Sequence, residues 1–347
     1  MTLHLICERD VGLFSLIQQV IAHIPWSAQA GRNPVVFFEG RCCYWVPQGY
    51  RDSSTVWEYY FEPLDRGYPG EAVPEKVRSA LAERFPDPRD VGFWLDRNTW
   101  VSNNFGDHPR LKGKTLAIPH GWQDPDAATR ERAASLIRMH LRPRKYITEL
   151  VDAFFSEQME GSTVVGVQIR GTDAVSSSED RAHRKDSLIL DNYRREVERC
   201  LASAPEARIF VATDDQQSLE FMRNAFGDKV IAYDSRRHLA GEAAGRGPTG
   251  CLMPAYVARD RRDAAKNGEE AVIEYLLLAR CALLVHNGSS LARTVLLNNP
   301  ALPHINTHRK NRLLGRVQTL SFKKLRRAVR RALRRAKPVK LGPSTDG

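Results

Sequence analysis

Three short apolar runs, each ending in a polar cluster, constrain this chain more than any other feature. They are Val164–Asp173 (VVGVQIRGTD), Arg208–Asp215 (RIFVATDD) and Ala282–Arg293 (ALLVHNGSSLAR). A run of four to eight apolar residues bounded by turn formers reads as a buried strand. Stretches of about a dozen residues with helical apolar spacing lie between them: Leu190–Ser203, Gln216–Phe226 and Glu269–Arg280. A further short strand is expected at Val230–Tyr233, followed by a Gly-rich connection over Ser235–Gly268. Strands alternating with helices imply a parallel, doubly wound α/β sheet, whose ligands sit outside the carboxyl ends of the strands. There the sequence places Arg170, Gly171, Thr172 and Asp173, then Thr213, Asp214 and Asp215, then Gly288, Ser289 and Ser290. An arginine offers a planar fork to phosphate oxygens. A Gly-Ser-Ser turn opening a helix offers amides and hydroxyls to an anion, although a serine there also serves as an ordinary N-cap. The one G-x-G-x-x-G, Gly245–Gly250, falls inside the Gly-rich connection rather than between a strand and a helix, and Gly113-Lys114-Thr115 has His108 where a Walker motif needs its first glycine, which argues against a dehydrogenase or a P-loop NTPase.

The N-terminal half is less regular. It has a strand-like stretch over Pro34–Val46, with Cys42 and Cys43 inside it, and a turn-rich region over Phe93–Gln123. Trp45, Trp57, Trp94, Trp100 and Trp122 fall here; most are expected in the core, with an acceptor groove as the other reading. Ala127–Leu141 and Ile147–Glu157 carry helical spacing on either side of Pro143. The division expected is an N-terminal domain over 1–145, a helical bridge over 146–162, a Rossmann-like domain over 163–308 and a tail over 309–347. The six cysteines show no metal-ligand spacing or disulfide framework, and neither a secretory signal nor an 18-residue apolar span is apparent. A cytoplasmic protein is expected.

The net charge of +11 is concentrated at one end. From Arg309 onward there are 14 Lys and Arg against the single acid Asp346, so the preceding residues sum to −2. Within 321–337, Phe322, Leu325, Val329, Ala332, Leu333 and Ala336 recur at helical spacing, with basic residues on the other face. Such a segment suits an anionic membrane surface or a solvated helix lying on the body. Nucleic acid is the least favoured partner.

Taken in order, the three strand ends resemble the nucleotide-binding half of the GDP-fucose-dependent fucosyltransferases. The nearest branch is the α-1,6 one, which includes the core N-glycan enzymes and the rhizobial nodulation fucosyltransferase. The family's His-x-Arg-Arg-Thr-Asp corresponds to Gln168–Asp173, and its Ala-Thr-Asp-Asp to Ala212–Asp215. An acidic residue one helix before the Ser-Ser pair corresponds to Glu274. The departures are Gln168 for histidine, Gly171 for the second arginine, Glu274 for aspartate and Ala174 for lysine. The resemblance implies a GT-B-like fold of two Rossmann-like domains, the C-terminal one holding a nucleotide sugar. It further implies an inverting enzyme that needs neither cofactor nor metal, acting on a glycan or lipid-linked glycan. Gln168, Arg170, Gly171, Thr213, Asp214, Asp215, Glu274, Gly288, Ser289 and Ser290 would bind the donor. Arg170 would steady the leaving diphosphate, with Glu179 or Asp173 as candidate bases; Glu179 is one residue out of register with the family's glutamate. His286, at the end of an apolar strand, is expected to be a satisfied core residue. A non-catalytic nucleotide-sugar-binding protein and an adaptor acting through the basic tail remain the alternatives.

Overall fold

A computed structural model describes residues 2–9, 11–64, 68–84, 92–103, 111–171, 190–239, 245–246, 252–253, 257 and 259–308. Asp173, Glu179 and the basic tail lie outside the described residues.

The chain begins with β1 (Leu3–Cys7), buried along its whole length, which leads into α1 (Leu13–Gln29) and β2 (Asn33–Phe37). The strand expected over Pro34–Val46 stops at Phe37. Glu39-Gly40 turns the chain, and the Cys42 amide donates back to the Glu39 carbonyl at 2.7 Å. Cys42 and Cys43 are therefore buried thiols in a turn rather than in a strand. After α2 (Val56–Tyr60) and α3 (Glu75–Arg84), β3 (Gly92–Trp94) and β4 (Thr99–Ser102) complete a sheet of order β2-β1-β4-β3. Its pairs are parallel except β3 with β4. Trp57 and Trp100 are core residues. Trp94 is half exposed and pairs with Trp100, near the end of the sheet where β1 begins.

The helices expected around Pro143 are α4 (Ala127–His140) and α5 (Lys145–Gln158). Beyond them come β5 (Val164–Ile169), α6 (Leu190–Leu201), β6 (Arg208–Thr213), α7 (Gln216–Phe226) and β7 (Val230–Ile231). A small antiparallel pair, β8 (Gly245–Arg246) and β9 (Leu252–Met253), precedes α8 (Arg261–Ala279), β10 (Leu283–His286), α9 (Ser290–Asn298) and β11 (His304–Asn306). The second sheet has the order β11-β10-β5-β6-β7, with every pair parallel.

Helix α8 starts eight residues before the expected Glu269. Asp260 caps it by accepting from the Arg262 and Asp263 amides. Gly268, which reads as the end of a loop, lies inside the helix for a packing reason. A Cβ at that position would stand 2.3 Å from the Tyr60 hydroxyl.

Side-chain alternation along β5 decides which residues meet the cleft. Val165, Val167 and Ile169 pack with Tyr193, Val197 and Met222 on one face. Gly166 lies on the other face, where a Cβ would meet Leu278 at 2.9 Å, so glycine admits the close approach of α8. Gln168 and Arg170 continue on that second face. One hydrophobic cluster joins α1, α2, α4, α5, α8 and α9, with Ile17, Tyr60, Ile137, Val151, Ile273 and Leu296 among its members. No described helix is long and apolar enough to cross a membrane.

Candidate functional site at the switch point

In the second sheet the chain runs outward from β5 to β6 and β7, then returns to place β10 and β11 on the other side. The reversal lies between β5 and β10, and an open α/β sheet offers its binding crevice there. A cleft occupies the position. It is lined by Gln168–Arg170, Ala212–Asp214, Ser235, Arg236, Asn267, Glu270, Glu274 and Ser289–Leu291, and from the first sheet's side by Gly12–Ser15 and Tyr44.

One end of the cleft collects hydrogen-bond donors. Gly288 turns the chain at φ +84, and an added Cβ would sit 2.7 Å from the Trp122 carbonyl oxygen. Its amide donates to His286 Nδ1 at 3.0 Å. Ser289 caps α9, accepting from the Ala292 amide at 3.1 Å while its own hydroxyl donates to Gln168 Oε1 at 2.7 Å. Gln168 therefore ties the end of β5 to the start of α9. Ser290 lies one residue further on, with its hydroxyl 3.1 Å from that of Ser15. Ser15 belongs to the first turn of α1, so two helix N-termini face one space, and each carries a partial positive charge. Arg170 stands half-buried beside them.

Two supporting residues were not visible in the sequence. Gln18 donates to the Ser290 carbonyl at 2.8 Å and to Thr294 Oγ1 at 3.1 Å, clamping α1 to α9. Arg293 is 5% exposed; it donates to the Gly121 carbonyl, to the Gly288 carbonyl at 2.6 Å and to Ser290 Oγ at 3.0 Å. Burial, followed by the charge of Arg170, lowers its pKa to about 10. The available signal was an arginine within the apolar helix SLARTVLLN.

The opposite end collects acceptors. Glu274 on α8 is buried, accepts from Ser235 Oγ at 2.9 Å and lies 3.8 Å from Arg237. Burial outweighs both partners and pushes its pKa up to about 8. Glu270, one turn earlier, accepts from the Arg236 amide at 3.1 Å, and burial raises its pKa to about 6. The adjacent Glu269 points elsewhere, into a two-pronged pair with Arg51 at 2.9 Å and a bond from Tyr50 at 2.8 Å.

The remaining sequence candidates fall into supporting positions. Asp214 lines the cleft and accepts from the Gly171 amide at 2.6 Å. Gly171 packs so tightly on Asp215 that a Cβ would stand 2.3 Å from the Asp215 Cβ, so no longer side chain fits there. Asp215 caps α7, accepting from the Ser218 amide at 2.9 Å. Thr213 lines the cleft and accepts from the Asp215 amide at 3.2 Å.

His286 is fully buried, and burial lowers its pKa to about 4. With Asp124 and His304 it forms a group whose ligand atoms lie within 4.8 Å of one another, close enough for a cation. The hydrogen-bonding argues against ligation, however. Because His286 Nδ1 accepts the Gly288 amide, the neutral ring carries its proton on Nε2, the atom that faces Asp124 at 3.8 Å. A metal needs a lone pair at that atom, so the pattern suits a positioning histidine better.

Comparison with known proteins identifies the family and the fold. The family model for nodulation protein Z (NodZ) matches residues 125–298. The chain is similar to the crystal structure of NodZ α-1,6-fucosyltransferase soaked with GDP-fucose, with 18% identity and a TM-score of 0.54 over 90% of this chain and 97% of that one. It is similar to the Se-Met fucosyltransferase NodZ from Bradyrhizobium, with 18% identity and a TM-score of 0.52 over 88% and 94%. It is also similar to NodZ α-1,6-fucosyltransferase co-crystallised with GDP, with 18% identity and a TM-score of 0.50 over 88% and 95%. Comparison with curated proteins by sequence finds no significant match. The shared fold is the GT-B-like one, with a Rossmann-like sheet on either side of the cleft. The chain belongs to the NodZ family, within the GDP-fucose-dependent fucosyltransferase superfamily.

Proposed function

We propose that the protein transfers fucose from GDP-fucose to a hydroxyl of a glycan or lipid-linked glycan, with inversion at the anomeric carbon. The observation that carries this reading is the polarity of the cleft. Arg170, Ser290 and the first turns of α1 and α9 line the same cleft as the carboxyl groups of Glu270 and Glu274 on α8. A nucleoside diphosphate has the matching polarity. Its phosphates are anionic, and guanine presents N–H donors on its Watson–Crick edge to carboxyl oxygens. NodZ structures carrying GDP-fucose and GDP support the choice of nucleotide.

In the reaction the acceptor oxygen forms a bond to the anomeric carbon as the bond from that carbon to the β-phosphate oxygen breaks. GDP leaves with the electron pair, and the acceptor proton passes to a base. Glu179 and Asp173 are the candidates for that base. Negative charge grows on the β-phosphate, where fixed positive charge lowers the barrier. Arg170 and the two helix termini supply that charge from the protein itself, which favours a metal-independent route. Residues 321–337 would hold the enzyme against an anionic membrane surface and bring it to lipid-linked acceptors.

The test is a transfer assay with GDP-fucose and a mixed panel of oligosaccharide and lipid-linked oligosaccharide acceptors. GDP release and fucosylated product are read together. Product formation that Arg170→Ala reduces by roughly 100-fold is the expected result. Tight GDP binding without product from any acceptor would favour the non-catalytic binding protein, and no binding at all would overturn the reading.

A further inference from the structure

Two serines open α9, and their hydroxyls are committed differently. Ser289 Oγ already accepts from the Ala292 amide and gives its single proton to Gln168 Oε1. Its donor capacity is used within the protein. Ser290 Oγ accepts a hydrogen bond from Arg293 Nη2 at 3.0 Å and lies 3.1 Å from Ser15 Oγ at the cleft, where either hydroxyl can donate to the other. A hydroxyl has one donor and two acceptor sites. A guanidinium on one acceptor site orients the hydroxyl, and its proton, unlike that of Ser289, can turn to a ligand in the cleft. The same guanidinium holds the carbonyls of Gly288 and Gly121, so it also fixes the turn that presents Ser290. Its charge lies close enough to Arg170 for the two to repel. An anion between two like charges relieves that repulsion.

We infer that Arg293 is a positioning residue for the leaving diphosphate, acting through Ser290, whose hydroxyl it holds as a donor to the phosphate. This rests on the cleft being a nucleoside-diphosphate site. It also accounts for a departure in the sequence. The second arginine of the family motif has no room at Gly171, because Asp215 occupies the space its Cβ would need. Arg293 supplies a second guanidinium from α9 instead. It works from beneath the turn, since its Nη atoms are taken by protein oxygens.

The test is a double-mutant cycle on the full chain, with GDP and guanosine binding measured by calorimetry for wild type, Ser290→Ala, Arg293→Met and the double variant. Ser290→Ala and Arg293→Met are each expected to weaken GDP about tenfold, with the double variant no worse than either one. Guanosine, which lacks phosphates, should bind all four proteins alike. Arg293→Lys keeps the charge and should recover part of the loss, and it serves as the second variant if Arg293→Met does not fold. Ser289→Ala should weaken GDP less than Ser290→Ala does. Losses that multiply in the double variant, or an equal loss for guanosine, would overturn the relay while leaving the diphosphate site intact. Failure of the wild type to bind GDP would overturn both.

Discussion

The two ends of the cleft solve opposite problems. At the Ser290 end, donors are held by backbone geometry: a left-handed glycine, two helix N-termini and a buried arginine that satisfies two carbonyls. At the Glu274 end, acceptors are held on one face of α8 against their electrostatic preference, with pKa values pushed up to about 8 and about 6. The first end is rigid because its turn and the starts of α1 and α9 are tied together by hydrogen bonds within the protein. The second stores a desolvation cost that a ligand bearing N–H donors would offset. A cleft built in this way selects a molecule with an anionic end and a donor edge.

The largest expected effect falls on the donor end. Arg170→Ala should reduce turnover by roughly 100-fold, about 3 kcal/mol of transition-state stabilisation. Steady-state kinetics with GDP-fucose measures it, and an effect confined to KM would show that Arg170 binds ground state and transition state equally. Gly288→Ala should lower stability by about 2 kcal/mol or more, since it forces a side chain into a left-handed conformation against the Trp122 carbonyl. Urea unfolding reads this directly, and a neutral result would mean that the turn is less constrained than its geometry implies.

The acceptor end predicts a pH dependence. Glu274 in the folded chain binds its proton more tightly than an ordinary glutamate, with a value near 8 against 4.5. Its contribution to stability is therefore fully present below about 4.5 and is lost as pH rises through 8. Glu274→Gln should flatten that decline, so unfolding midpoints at pH 5 and pH 9 should converge relative to wild type. An unchanged slope would place the cost elsewhere, with Glu270 next to be tested. The smallest effect concerns Asp215→Ala, which should cost about 1 kcal/mol as a lost N-cap. A fall in GDP affinity beyond that loss of stability would return Asp215 to the binding set.

What the sequence revealed follows the same division. β5, β6 and β10 were legible because each is a buried run cut off by polar residues, and Ser289 was legible as a cap. Arg293 and Gln18 were not, because a charged or amide side chain on a helix reads as surface until its neighbours are known. Glu274 was singled out by resemblance, but its burial depends on Ser235 and Arg237, which arrive from a distant segment. Gly268 misled in the other direction, since a glycine at the end of a polar stretch marks a loop unless another side chain, here Tyr60, presses on it. The short strands β3, β4 and β11 have three or four residues each, too few for alternation to register. The first turn of α1 was missed as a cleft wall because only the packing of α1 on α9 brings it opposite the second sheet.

The most direct test of the account is a calorimetric comparison of GDP, GMP and UDP on the full chain. A cleft with a diphosphate end at Arg170 and Ser290 and a guanine edge at Glu274 should bind GDP most tightly. It should lose affinity with GMP for want of the second phosphate, and with UDP for want of the purine. Equal affinity for GDP and GMP, or a preference for UDP, would contradict the assignment of the two ends.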